Sequence, residues 1–81
     1  MEVFKTLDRY KELKEVWEMI PDKILQKLHV DLIITSDNIL QIICFSPVVL
    51  SYVTQRRKLI EKHMATFVQQ YTIAKIEIRL K

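Results

Sequence analysis

A chain of 81 residues with a net charge of +3 has room for one domain, residues 1–81, and for one modest core, because folding at this size buries only about 60–65% of the unfolded surface; a deep catalytic cleft is not expected. The single cysteine, Cys44, excludes an internal disulfide framework and fits a reducing compartment. Glycine is absent, and phosphate-cradling loops need it where main-chain amides approach the ligand closely, so the nucleotide-binding fingerprints are excluded.

Leu7, Tyr10, Leu13, Trp17 and Ile20 recur at spacings of three and four, opposite Lys11, Glu12, Lys14, Glu15 and Glu18, which predicts an amphipathic helix. Pro21 ends it, and residues 22–28 supply a further short helix or a kinked continuation. From His29 to Thr35 the period changes to two: Val30, Leu32 and Ile34 share one side, His29, Asp31 and Ile33 the other. Ser36-Asp37-Asn38 has turn chemistry. Leu40, Ile42 and Cys44 then alternate with Gln41, Ile43 and Phe45, giving a second strand that pairs with the first as an antiparallel hairpin and leaves Ile33, Ile43 and Phe45 partly exposed.

The junction Cys44-Phe45-Ser46-Pro47-Val48-Val49 passes from strand to helix without a glycine. Ser46 is a good N-cap acceptor, and Pro47 suits the first helical position because its fixed backbone angle is helical and its missing donor needs no partner. A long helix is expected from Pro47 to about Tyr71, some 37 Å at about 1.5 Å per residue, with Val49, Val53, Ile60, Met64, Phe67 and Tyr71 on its core stripe. Ala74, Ile76, Ile78 and Leu80 alternate with Lys75, Glu77, Arg79 and Lys81 as a half-buried strand. A right-handed crossover sets this strand parallel to the second. The fold class is therefore α+β, in the order α-(α)-β-β-α-β, with a three-stranded mixed sheet covered on one face by helices.

The apolar runs, broken at Asp31, Gln41 and Ser46, are far below the roughly 20 residues that span a bilayer, and MEVFKTLDRY has no secretory apolar region. A cytoplasmic protein without membrane contact is expected. Residues 46–81 carry seven Lys/Arg against two Asp/Glu, a balance that suits either an anionic partner or simple solubility. Arg56, Arg57, Lys58 and Lys62 form the densest basic cluster, readable as a solvated helix surface or as a contact to phosphates or an acidic partner. Trp17 is a core residue or an anchor for a partner, and Phe45, Tyr52 and Arg56 are further candidate partner contacts. His29 and His63 lack companions at metal-ligand spacing, Cys44 shares its strand face with Leu40 and Ile42, and no acid/base pair stands out. No catalytic, metal or cofactor site and no small-molecule substrate are expected.

Trp17 and Ile20, the strand Leu40-Gln41-Ile42-Ile43, the helix opening with Ser46 and Val53, and the closing run Ile73-Ala74-Lys75-Ile76-Glu77-Ile78 together resemble the DciA family, bacterial proteins that assist the replicative helicase and carry a KH-like domain. Pro21-Asp22 departs from the family's Val-Gly pair, His29 is about one residue out of step, and Val49 stands where the family often has tryptophan. The resemblance covers about four fifths of the chain. It implies a noncatalytic replication factor that binds the DnaB-type helicase, helps place it on DNA, and touches single-stranded or forked DNA. KH modules that clamp RNA use a Gly-x-x-Gly loop, which a chain without glycine cannot form. The alternatives are a small KH-like RNA- or ribosome-binding protein, and a structural subunit that associates through its exposed strand positions.

Overall fold

The computed structural model describes residues 2–81, with side chains from Arg9 onward, so Leu7 lies outside the described side chains. Helix α1, Glu2–Glu18, ends just before the proline, and α2, Lys23–Lys27, starts just after it. The strands are β1, Val30–Ile34, β2, Ile39–Cys44, and β3, Lys75–Leu80. Between β2 and β3 run α3, Pro47–Gln55, α4, Arg57–His63, and α5, Ala65–Gln70. The sheet order is β1-β2-β3, with β1 antiparallel and β3 parallel to the central β2. The α+β, three-stranded mixed sheet expected from the alternation is what the chain forms.

Local chemistry accounts for the joints. Thr35 and Asn38 close the hairpin: the Thr35 amide donates to the Ile39 carbonyl at 2.9 Å, the Asn38 amide to the Thr35 carbonyl at 3.0 Å, and Asn38 takes φ 61°, a left-handed position that asparagine tolerates. Ser46 caps α3 as its chemistry suggests, its Oγ accepting from the Val49 amide at 3.2 Å, with Pro47 in the first turn.

The expected single helix is divided at Arg56 and Met64. Neither break involves proline or glycine. The Arg56 amide is shared between the Tyr52 and Val53 carbonyls at 3.2 and 3.1 Å, while Met64 still donates to Ile60 at 2.8 Å, so the ladder tightens locally rather than ending. The core stripe survives both breaks: Val53, Ile60, Met64 and Phe67 are buried against Leu40, Ile42, Cys44 and Ile76 of the sheet. Trp17, Leu13, Ile20 and Leu25 complete the core from α1, the following turn and α2.

After α5 the Ile73 amide reaches back to the Val68 carbonyl at 2.9 Å and the Thr72 amide to the Gln69 carbonyl at 3.4 Å, the bonding pattern of a Schellman cap, in which Thr72 holds φ 55°. A β-branched residue is costly there, and glycine is the usual occupant. Thr72→Gly is therefore expected to stabilise the domain by about 1 kcal/mol, raising Tm by about 4–8 °C in a thermal melt. An unchanged or lower Tm would mean that the turn carries no such strain.

Candidate interaction surface

Asp22 organises the helical side of the molecule. It sits extended before α2, with φ −151° and ψ 107°, and its Oδ1 accepts from the amides of Ile24 and Leu25 at 2.9 and 3.0 Å, the geometry of a helix N-cap. The same carboxylate receives the Tyr52 hydroxyl of α3, 3.1 Å from both oxygens, and the Arg56 Nε at 3.3 Å. Arg56 in turn lies over the Tyr52 ring, its Cζ 4.7 Å from the centroid, a cation–π contact. The Leu25 amide, chiefly, holds the Asp22 carboxyl below its usual value, with the Tyr52 hydroxyl, the Ile24 amide and the Arg56 guanidinium adding to it against the opposing cost of desolvation. Two elements 30 residues apart are thus joined through one ionised side chain.

Around this clamp the surface is apolar. Val48, one turn before Tyr52, is 79% exposed, and Ile24, whose amide binds the same carboxylate, is 54% exposed. Pro47, Val48, Ser51, Tyr52 and Gln55 line a shallow groove at the start of α3. Exposed apolar side chains on a structured helix start, bordered by a hydrogen-bonded polar pair, suit contact with another protein more than catalysis.

The structure separates the residues singled out in the sequence. Trp17 is only 6% exposed and belongs to the core, so it is not a free anchor. Tyr52 is half-buried and committed to Asp22, and Arg56 shares that commitment. Phe45 lies elsewhere, on the sheet face away from the helices: it is 39% exposed, 5.0 Å from the His29 ring and beneath the Lys81 Nζ at 5.1 Å. The basic cluster also divides. Arg57 Nη2 donates to the Ile76 carbonyl of β3 at 2.7 Å and its Nε lies 3.7 Å from Glu61, whereas Lys58 and Lys62 are exposed, without an ion pair among the described residues. Cys44 is fully buried, and burial pushes its thiol above the usual value, so it is no nucleophile as placed.

Comparison with family models, curated proteins and solved structures finds no match to this chain. What the geometry offers stands on its own residues. Among the described residues no group of three His, Cys, Asp or Glu is placed to hold a metal ion, and no helix is long and apolar enough to cross a membrane. His63 Nε2 donates to the Val16 carbonyl at 2.6 Å, fastening α4 to the last turn of α1. The residues that sequence reasoning passed over are Asp22, Ile24 and Val48. Asp22 carried a usable signal, an Asp immediately before a helical segment; Ile24 and Val48 carried none, because exposure of an isolated apolar residue depends on where its element packs.

Proposed function

We propose that this chain is a noncatalytic interaction domain of the DciA kind, which binds the bacterial replicative helicase and assists its placement on DNA. The element order around the Ser46-capped helix supports the reading, and the observation that carries it is the exposed apolar surface of Ile24 and Val48 beside the Asp22–Tyr52–Arg56 clamp. Such a surface fits a protein partner, with the clamp holding α2 and α3 rigidly enough to present it. DNA contact falls to Lys58 and Lys62, one helical turn apart on α4 and free of ion pairs among the described residues, with Arg56 and Arg57 restrained by their own partners. Two or so phosphate contacts support only weak, salt-sensitive binding.

The test measures binding to purified DnaB-type helicase. Ile24→Glu with Val48→Glu is expected to weaken it at least about tenfold while leaving the melting curve unchanged, since both side chains are exposed. Lys58→Gln with Lys62→Gln is expected to leave helicase binding intact and flatten the salt dependence of single-stranded DNA binding by about two units of slope. Failure of the parent chain to bind helicase overturns the reading; retained helicase binding by the double glutamate variant overturns the placement. Salt-sensitive RNA binding without any helicase binding would favour the RNA- or ribosome-binding alternative.

A further inference from the structure

The two outer edges of a sheet present unpaired main-chain groups, and here each is closed at one point by a side chain. On β3 Arg57 occupies the Ile76 carbonyl. On β1 the Tyr10 hydroxyl of α1 accepts from the Ile34 amide at 2.9 Å and donates to the Ile34 carbonyl at 3.3 Å. The hydrogen-bonded pair Thr35–Ile39 fixes the alternation along β1, so Asp31 and Ile33 turn their main-chain groups toward β2, and Val30, Leu32 and Ile34 turn theirs outward. Ile34 is capped; the outward groups of Val30 and Leu32 have no hydrogen-bond partner among the described residues.

Beside these two residues a groove of about 380 Å³ separates β1 from α1. Leu13, Trp17 and Leu28 give it an apolar lining, with Lys14 and Glu18 of α1 along it. Free main-chain donors and acceptors next to an apolar groove between an edge strand and a helix are the requirements for strand addition, in which main-chain hydrogen bonds give affinity and alternate side chains give selectivity. We infer that the β1 edge takes up an extended segment of a partner protein, antiparallel to β1, in the pattern apolar–basic–apolar.

Asp31 decides the pattern. It lies between Val30 and Leu32 with its side chain on the opposite, open face, where it is exposed and has no ion pair among the described residues. An added strand that exchanges hydrogen bonds with Val30 and Leu32 places two side chains toward the groove and the one between them directly opposite Asp31. A lysine or arginine there forms a favourable cross-strand pair, and a carboxylate is repelled. The same geometry disfavours a second copy of this chain, since two-fold pairing of β1 with β1 would set Asp31 against its own counterpart. Tyr10 ends the site at Ile34, which limits the exchange to two residues of the added strand. The inference concerns a different surface from the helicase reading and can fail while that reading stands.

The experiment titrates the ¹⁵N-labelled 81-residue chain with a blocked pentapeptide, Ser-Val-Lys-Leu-Ser, followed by amide NMR. Shifts are expected at Val30, Asp31 and Leu32 and at the Trp17 indole. The peptide with glutamate at its centre should bind about fivefold more weakly, and N-methylation of its leucine, which blocks a main-chain donor, should abolish the shifts. In Asp31→Lys, a change at an exposed position, the preference between the two charged peptides should reverse. If that variant does not fold, the charge preference and the N-methyl effect on the parent chain still decide. No shift at Val30 and Leu32, an undiminished response to the N-methylated peptide, or an unreversed preference in a folded Asp31→Lys overturns the inference. Concentration-dependent shifts of the same amides without peptide would also overturn it, by identifying a second copy as the occupant.

Discussion

Trp17→Ala is expected to remove about 3–5 kcal/mol of stability, the range found when a large aromatic is truncated in a core. A domain of this size has on the order of 4–12 kcal/mol in total, so the variant should melt far below the parent or fail to fold at ambient temperature. Trp17 is 6% exposed and belongs to the same buried cluster as Leu13, Ile20 and Leu25, so little of its surface is left for a partner. Trp17→Phe, which keeps an aromatic ring and leaves a smaller void, should lose markedly less. A thermal melt separates the two, and partner binding by either variant is informative only when expressed per folded molecule. A Trp17→Ala chain that melts like the parent would show that the ring is dispensable to the core.

Asp22→Ala should be the most damaging polar substitution, because it removes at once the cap of α2, the acceptor for Tyr52 and the counter-charge of Arg56. Tyr52→Phe, which deletes one of those contacts, should cost less, and in Asp22→Ala the further change Tyr52→Phe should cost almost nothing, since the two report one interaction. The pH dependence follows from the direction of the Asp22 shift. The folded-state carboxyl is held below the usual value of 3.8, so the unfolded chain takes up the proton first as pH falls; the stabilisation is complete well above 3.8 and is lost as pH descends through the lower, folded-state value. Denaturation midpoints of the parent should therefore drop in that acid window, and Asp22→Asn should flatten the drop. Glu77, held low mainly by the Gln41 amide and by Lys75, contributes in the same sense, so some acid sensitivity should remain. A parent whose midpoint does not move between neutral pH and the acid window would show that the carboxylate is not preferentially stabilised.

The strands were legible because period two is local: Leu40, Ile42 and Cys44 are buried as their alternation requires, and β3 runs parallel to β2 because one helical crossover permits little else. Ser46-Pro47 declared the start of α3 in two residues. The end of β3 was less legible. Leu80 belongs to the core-facing set of its strand yet is 48% exposed, since the helices do not extend over that corner of the sheet. Tyr52 was read as a surface probe from its angle on the helix, and the angle was informative, but its hydroxyl finds a carboxylate 30 residues earlier in the chain. Likewise Arg57 looked like one member of a basic run until β3 supplied a carbonyl for it. Such pairings are properties of how elements dock, and no window of sequence short enough to read for periodicity contains both partners.

The parallel pairing of β2 with β3 also sets an order in time. Gln41 and its neighbour across the ladder, Glu77, are 36 residues apart, so during synthesis at about 5–20 residues per second the central strand waits about 2–7 s for its second neighbour to be made. Through that interval β2 can form the hairpin with β1 but has a bare flank of Leu40, Ile42 and Cys44, and the helices that must cover it have no finished sheet to close upon. A nascent chain in this state is a template for other strands. The yield of folded protein should therefore depend on translation speed and on early chaperone capture more than the stability of the finished domain would suggest.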